Sequence, residues 1–296
     1  MADNRDPGPA AGPGLWTDLD RAPLDGRAIT RALVSGPRAS WAEVTVVPRT
    51  GSTNADLLAA APTAADRTAV IADVQDAGRG RHSRSFTAPP RSQVTVSALV
   101  RLPGIAPDVV GWMPLLTGIT VVDVLRSVCE VDAVLKWPND VLLTGDRAPG
   151  KVAGILVEVA AGSPVMTVVA GVGINVTPTA AELPVATATS LRAAGAAVLD
   201  RGTIARAFLR AFGSAVDDWR DSGWDTAALA QLYRARCDTL GRSVRVTMPG
   251  EVVLVGTATD VDAHGRIVVA PEDGSEPVAV SAGDVTHLRP VVDTGE

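Results

Sequence analysis

Lys136 and Lys151 are the only lysines among the 27 basic residues of this 296-residue chain; the other 25 are arginines. Gene base composition explains a general drift toward Arg, Ala, Gly and Val, but two positions that kept lysine ask for a chemical reason. An ammonium is a compact, strongly hydrated point charge, whereas a guanidinium is a planar fork. The point charge suits one carboxylate or phosphate oxygen, and the fork suits bidentate grip of the same anions. Forks crowd one stretch, Gln75 to Gln93, which reads QDAGRGRHSRSFTAPPRSQ. Its glycines Gly78 and Gly80 let backbone N–H groups approach an anion, and Arg79, Arg81 and Arg84 bring the charge. An exposed basic loop is the plainer reading of the same residues.

Two phosphate-binding patterns are nearly matched, and both fail on context. GRGRHS (78–83) has GxGxxG spacing with Ser83 at the last glycine. No helix follows it, and Pro89-Pro90 deny one, so a dinucleotide fold is disfavoured. GDRAPGKV (145–152) has GxxxxGK, yet Val152 stands where a magnesium-binding Ser or Thr belongs, and a β-branched run follows. Lys151 can still meet a phosphate as a point charge. LKWPND (135–140) sets Lys136, an aromatic, Asn139 and Asp140 around a proline, and such polar groups are costly to bury unless paired. GVGIN (171–175) ends an apolar run in Asn175. The three histidines form neither HExxH nor a triad, no GxSxG exists, and Cys129 and Cys237 stand apart without a CxxC. Hydrolase and zinc chemistry therefore lack support.

Apolar residues make up 46% of the chain and charged ones 20%, the balance of a globular protein with a sizeable core. A formal net charge of −6 disfavours general polyanion binding, so phosphate recognition must be local. The sequence suggests no membrane-spanning run and no signal pattern, and its cysteine usage fits a reducing cytoplasm. Residues 1–40 read as a flexible segment, rich in Pro, Gly and Ala at first, with one short helix available at Asp25–Val34. Strand patterns follow at Trp41–Val47, Ala69–Asp73, Val94–Val100, Lys151–Ala160 and Val165–Val176, with two more over 133–143 broken by Pro138. Helical signals cover a segment capped by Ser52 or Thr53, a buried run at Trp112–Val128, and residues 203–220 and 226–238. Beyond Arg242, short β runs separated by turns point to a small barrel. The expected fold class is α+β: a catalytic domain over 41–238 with a mixed sheet packed by helices, a small β-barrel over 239–290, and a tail at 291–296.

Taken in order, GSTN, QDAGRGRHSRSF, KWPND, GKVAGILVE and GVGIN, followed by a small β-domain, resemble the biotin protein ligases over residues 42–290. The resemblance implies a class II synthetase/lipoate-ligase-like catalytic domain with an SH3-like C-terminal barrel. It implies a carbon–nitrogen bond-forming ligase: biotin and ATP, with Mg²⁺, give biotinoyl-5′-AMP and pyrophosphate. A lysine of the biotin carboxyl carrier domain of an acyl-CoA carboxylase then receives the biotin. Carried over by motif, Ser52, Thr53, Asn54, Gln75, Gly78, Arg79, Gly80 and Arg81 bind biotin, with Lys136 at its carboxylate. Arg81, Arg84, Phe86, Asn139, Lys151 and Asn175 meet ATP. Lys136, Arg81, Arg84, Lys151 and Asp140 carry the catalysis, Asp140 toward the acceptor lysine, and no metal ligand is assigned. Fixed cations where phosphate charge accumulates lower such a barrier, and a loop closing over ligand keeps water from a mixed anhydride.

The loop departs from the family pattern at Ser83, in place of glycine, and at Phe86, in place of tryptophan. The adenine contact, more than biotin recognition, is expected to be weakened or rearranged. A lipoate or octanoate ligase or transferase of the same fold is the alternative reading. A biotin-responsive DNA-binding repressor is disfavoured, because the residues before Trp41 hold one helix at most. The expected partners are biotin, ATP and the carrier domain, with neither nucleic acid nor membrane.

Overall fold

The computed structural model describes residues 21–81, 86–248, 250, 252–281 and 284–287, so Ser83, Arg84 and both chain ends lie outside the described residues. Seven strands form the main sheet: β1 (Glu43–Val47), β2 (Thr68–Ala72), β3 (Gln93–Arg101), β4 (Ala133–Lys136), β5 (Asp140–Leu143), β6 (Gly150–Val159) and β7 (Thr167–Asn175). Their order is β1-β2-β3-β7-β6-β5-β4. The β1–β2 pair is parallel and every other neighbour is antiparallel. Because side chains alternate across a strand, the central pair has two different faces. Val94, Val96, Ala98 and Val100 of β3, with Val168, Ala170, Val172 and Ile174 of β7, enter the main core. On the opposite face Gln93, Thr95 and Ser97 register against Asn175, Gly173 and Gly171.

Helices α3 (Met113–Cys129) and α5 (Arg201–Asp221) cover the core face. The run Val110–Cys129 is apolar and long enough by composition to cross a membrane, but it is mostly buried inside the protein, as the buried helix expected over Trp112–Val128. The apolar stripe of α5 includes Phe208 and Phe212, whose rings stack at 5.6 Å. On the other face lies α2 (Thr53–Ala60), begun by Ser52, whose side chain accepts from Ala55 N, and seated through Leu57 on Leu99 and Val169.

Two expectations are corrected. Residues 21–40, expected to be flexible, fold against the core: α1 (Gly26–Thr30) runs into a π-helical turn at Arg31–Ser35, and Ile29 and Leu33 are buried. Their spacing of four puts both on one helix face, enough to dock a short segment. The helix expected over 226–238 is shorter, α6 (Ala227–Arg234), because the following residues turn to pair with β4. Leu135 N donates to Arg236 O, and Asp238 N to Leu135 O, each at 2.8 Å. A one-turn helix, α4 (Leu191–Ala194), was not expected.

The C-terminal strands β8 (Ser243–Thr247), β9 (Val253–Val261), β10 (Ile267–Pro271), β11 (Val278–Val280) and β12 (Asp284–His287) form an antiparallel sheet ordered β11-β10-β9-β8-β12. Two indoles fasten it to the larger unit: Trp137 Nε1 donates to Gly265 O at 3.1 Å, and Trp112 Nε1 to Ala263 O at 2.7 Å.

One buried ion pair holds the base of the arginine loop. Arg201 lies 2.8 Å from Asp73, with side-chain exposures of 7% and 6%. The same guanidinium donates to Ala22 O and Gln93 O, Leu24 N donates to the Asp73 carboxylate, and Arg91 N donates to Asp73 O. A cation in the first turn of α5 is unfavourable toward the helix dipole, so Asp73 and these carbonyls must offset it. We predict that Arg201→Met, which strands a buried carboxylate, lowers stability by about 3–5 kcal/mol, read as a fall in the urea unfolding midpoint. An unchanged midpoint would show that the pair contributes nothing.

Candidate active site

The small and polar residues on the open face of the main sheet border a cavity of about 550 Å³. Its floor is made where three strands meet, with Gly154 of β6 opposite Gly173 of β7, and Leu156 opposite Gly171. A Cβ at Gly173 would overlap the Phe86 ring, and one at Gly171 would overlap the Asn54 amide. The missing side chains are therefore what let Phe86 and Asn54 lie directly on the sheet.

One end of the cavity is a neutral hydrogen-bonding notch. Gln75 Oε1 accepts from Thr53 N at 2.8 Å and lies 3.0 Å from Thr53 Oγ1. The Thr53 hydroxyl also lies 2.7 Å from Ser97 Oγ, which in turn donates to Asn54 Oδ1 at 2.5 Å. Asn54 Nδ2 donates to Leu156 O and to Glu158, so both of its N–H groups serve the wall. Ser52, Thr53 and Gln75 all border the open space.

The arginine loop crosses above. Phe86 N donates to Gly78 O at 2.8 Å, closing the loop at its base. Arg79 stands 3.6 Å from Glu158, and Arg81 donates to Asn139 Oδ1 at 3.4 Å; Gly80 borders the cavity. Arg84 falls outside the described residues.

The far end is cationic. Lys136 closes β4 and pairs in register with Asp140 across the turn through Trp137, Pro138 and Asn139. Lys151 Nζ lies 2.6 Å from Asp140 Oδ1. Asn139 ties this turn to β6, donating through Nδ2 to Ile155 O and accepting from Ile155 N at its backbone carbonyl. Asn175 also borders the cavity, where its Oδ1 accepts from Gln93 and its Nδ2 donates to Thr189 O, a framework position. Among the described residues no group of three or more His, Cys, Asp or Glu could hold a metal, and Asp140 is the carboxylate bordering the cavity.

The structure thus gathers every described candidate from the sequence into or against one space. Sequence reasoning missed the β3 contribution, although the alternation Gln93, Thr95, Ser97 was a readable signal of a second, polar face. It also missed Glu158 and the reach of the C-terminal sheet, whose Val285 and Thr286 border the cavity; no local pattern announces a contact made across more than a hundred residues.

Behind Lys136, burial and the nearby lysine charge push the His287 imidazole down to about 4 from its ordinary 6.5. Between those values the unfolded chain binds a proton that the folded chain does not. This contribution to stability is complete above pH 6.5 and lost as pH falls toward 4. A series of thermal midpoints should show this acid loss, and His287→Gln should lack that component; parallel curves for the two proteins would refute it.

The fold and cavity place the chain among acyl-protein ligases of the biotin and lipoate kind. The biotin/lipoate A/B protein ligase family model matches residues 46–175, and the biotin protein ligase C-terminal domain matches 239–288. The chain belongs to the biotin protein ligase family. It is 44% identical over 280 residues to the biotin–[acetyl-CoA-carboxylase] ligase of Mycobacterium tuberculosis, covering 92% of this chain and 100% of that one. It is 30% identical over 216 residues to the bifunctional ligase/repressor BirA of Bacillus subtilis, covering 71% of this chain and 64% of that one. A solved biotin protein ligase from Aquifex aeolicus, in complex with biotin and ATP, shares the fold with a TM-score of 0.69 at 22% identity, covering 83% and 99% of the two chains.

Proposed function

We propose that the cavity binds biotin beside ATP, makes biotinoyl-5′-AMP, and passes the biotinoyl group to a lysine of the biotin carboxyl carrier domain of an acyl-CoA carboxylase in the cytoplasm. The observation that carries this is the gradient along one space, from the neutral notch of Ser52, Thr53 and Gln75, over the glycine floor under Phe86, to Lys136 and Lys151. Biotin offers the matching order: a ureido ring, an apolar body and a carboxylate. The Mycobacterium tuberculosis relative and the Aquifex aeolicus complex support the same reading.

In the first half-reaction a biotin carboxylate oxygen attacks the α-phosphorus. The new O–P bond forms as the bond to the bridging oxygen breaks, and pyrophosphate leaves. Lys136 lowers the repulsion between the carboxylate and the phosphates and then stays beside the acyl oxygen. Lys151 and Arg81 meet phosphate oxygens as preorganised charges in a partly closed site, and Asn139 meets them as a neutral donor. Mg²⁺ suits this set as a companion of the ATP phosphates held through Asp140, since a hard cation needs few protein ligands when phosphates supply the rest; when bound it neutralises phosphate charge. In the second half-reaction the acceptor amine attacks the acyl carbon, the C–N bond forms and AMP leaves. Asp140 orients that amine and takes its proton. Phe86 over Gly154 and Gly173 shields the anhydride from water.

The neutral notch favours a ureido ring over the dithiolane of lipoate, which lacks donors to match Thr53 and Gln75. Incubation with ATP, Mg²⁺, biotin and a carrier domain should add one biotinoyl group to the carrier by mass spectrometry, and absence of that gain would sink the proposal. Lys136→Ala is expected to lower adenylate formation by at least about a hundredfold with the fold retained. Gly173→Ala, which evicts Phe86 from its seat, should weaken biotin binding about tenfold or more by calorimetry, roughly 1.4 kcal/mol; wild-type affinity in that variant would show that the ring is not part of the pocket.

A further inference from the structure

A chain of hydrogen bonds runs from the C-terminal sheet to the peptide that carries Lys136. Trp137 N–H donates to Thr239 Oγ1 at 3.0 Å, and Thr239 Oγ1 lies 3.0 Å from His287 Nε2. Beyond the ring, His287 Nδ1 stands 3.8 Å from Asp238. With the imidazole proton on Nδ1, facing the carboxylate, Nε2 accepts from the Thr239 hydroxyl, which itself accepts from Trp137 and also contacts the Cys237 thiol. That arrangement requires a neutral ring, and burial together with the charges of Lys136 and Arg242 keeps it neutral against the pull of Asp238.

The consequence falls on Lys136. Its carbonyl and the Trp137 N–H belong to one rigid peptide plane, so fixing that N–H fixes the end of β4 from which the lysine projects. The indole of Trp137 is held as well, buried with its Nε1 bonded to Gly265 O. Thr239 is completely buried, so no water can replace the hydroxyl without opening the interface. The strand that bears His287 also brings Thr286 to the cavity, so one element contacts the site and braces its lysine.

Resting on the ligase reading, we propose that His287 is a positioning residue for biotin activation: through Thr239 it locks the Lys136–Trp137 peptide and makes the C-terminal sheet part of the device that aims Lys136. A lysine aimed at a developing charge acts on the barrier more than on substrate affinity. His287→Phe keeps a ring but offers no acceptor; it is expected to lower kcat for biotin-dependent pyrophosphate release roughly tenfold with little change in KM for biotin or ATP. His287→Gln, whose amide oxygen can accept from Thr239, recovers most of that rate. Thr239→Val, which keeps the shape and removes the hydroxyl, loses as much as His287→Phe. Amide hydrogen exchange of ligand-free protein gives an arm independent of the reaction: the peptide containing Trp137 should exchange about tenfold faster in His287→Phe than in wild type and return to the wild-type rate in His287→Gln. A kcat within about twofold of wild type in His287→Phe, with unchanged exchange, overturns the proposal. Equal losses in His287→Phe and His287→Gln overturn it too, since they leave His287 only a packing role. If wild-type protein fails to ligate biotin, the ligase reading falls, while the exchange arm still decides whether the relay holds the peptide.

Discussion

The site depends on one steric constraint: a buried β-sheet must be left bare on one face over a few residues. Strands in the middle of a sheet normally carry branched side chains on both sides when both are covered. Here β3 and β7 obey that rule only toward α3 and α5, where their apolar residues join the core. Toward α2 they present Thr95 and Ser97 opposite Gly173 and Gly171. The omitted side chains make the cavity, and the rest of the structure must pay in stability elsewhere for a hollow beside its centre. The apolar stripes of α3 and α5, with Phe208 stacked on Phe212, concentrate the compensating burial on the opposite face.

Charge in the molecule is held in two ways, and the difference matches two tasks. Arg201 and Asp73 are both nearly buried, and removing either partner would strand a charge in a dry setting. Such a pair is suited to holding a loop base in one place. The pairs around the cavity are more exposed: Arg79 at 44% beside Glu158 at 28%, and Lys151 at 36% beside Asp140 at 21%. Ion pairs that face water are worth about 0–1 kcal/mol. A phosphate or carboxylate can therefore exchange for the resting carboxylate partner at small cost. The chain thus keeps these cavity cations paired and still available to an anion.

Legibility from sequence follows the range of the interactions. The period-2 runs and the Ser52 cap marked the main strands and α2 because those signals lie within a few residues. The five short motifs were legible because each is a local run of residue types, and the fold brings residues of all five to one cavity. What escaped was long-range. Residues 21–40 read as part of a flexible segment with one short helix available, yet Ile29 and Leu33 need only a groove supplied by α5 and β1. Asn54 and Asn175 both line the cavity, and their amides also bond protein partners that only the register brings near, which the motifs do not announce. The link from Thr239 and His287 to Trp137 spans more than a hundred residues, and nothing local in either segment announces it.

The retention of lysine at two positions in an arginine-rich chain has a physical logic in this frame. A guanidinium carries its own fork geometry; here Arg79 stands beside Glu158 and Arg81 donates to Asn139. An ammonium on a four-carbon stem has no such preference, so the protein must supply direction from outside. Lys151 receives it from Asp140, on the neighbouring strand β5, whose Oδ1 lies 2.6 Å from its Nζ. The direction of Lys136 comes from the backbone, through a Trp137 amide fixed by Thr239 and an indole fixed by Gly265. Both anchors belong to the C-terminal unit or to the segment leading into it. The small β-sheet is thus coupled to the chemistry by geometry, because a point charge is only as well placed as the peptide that carries it.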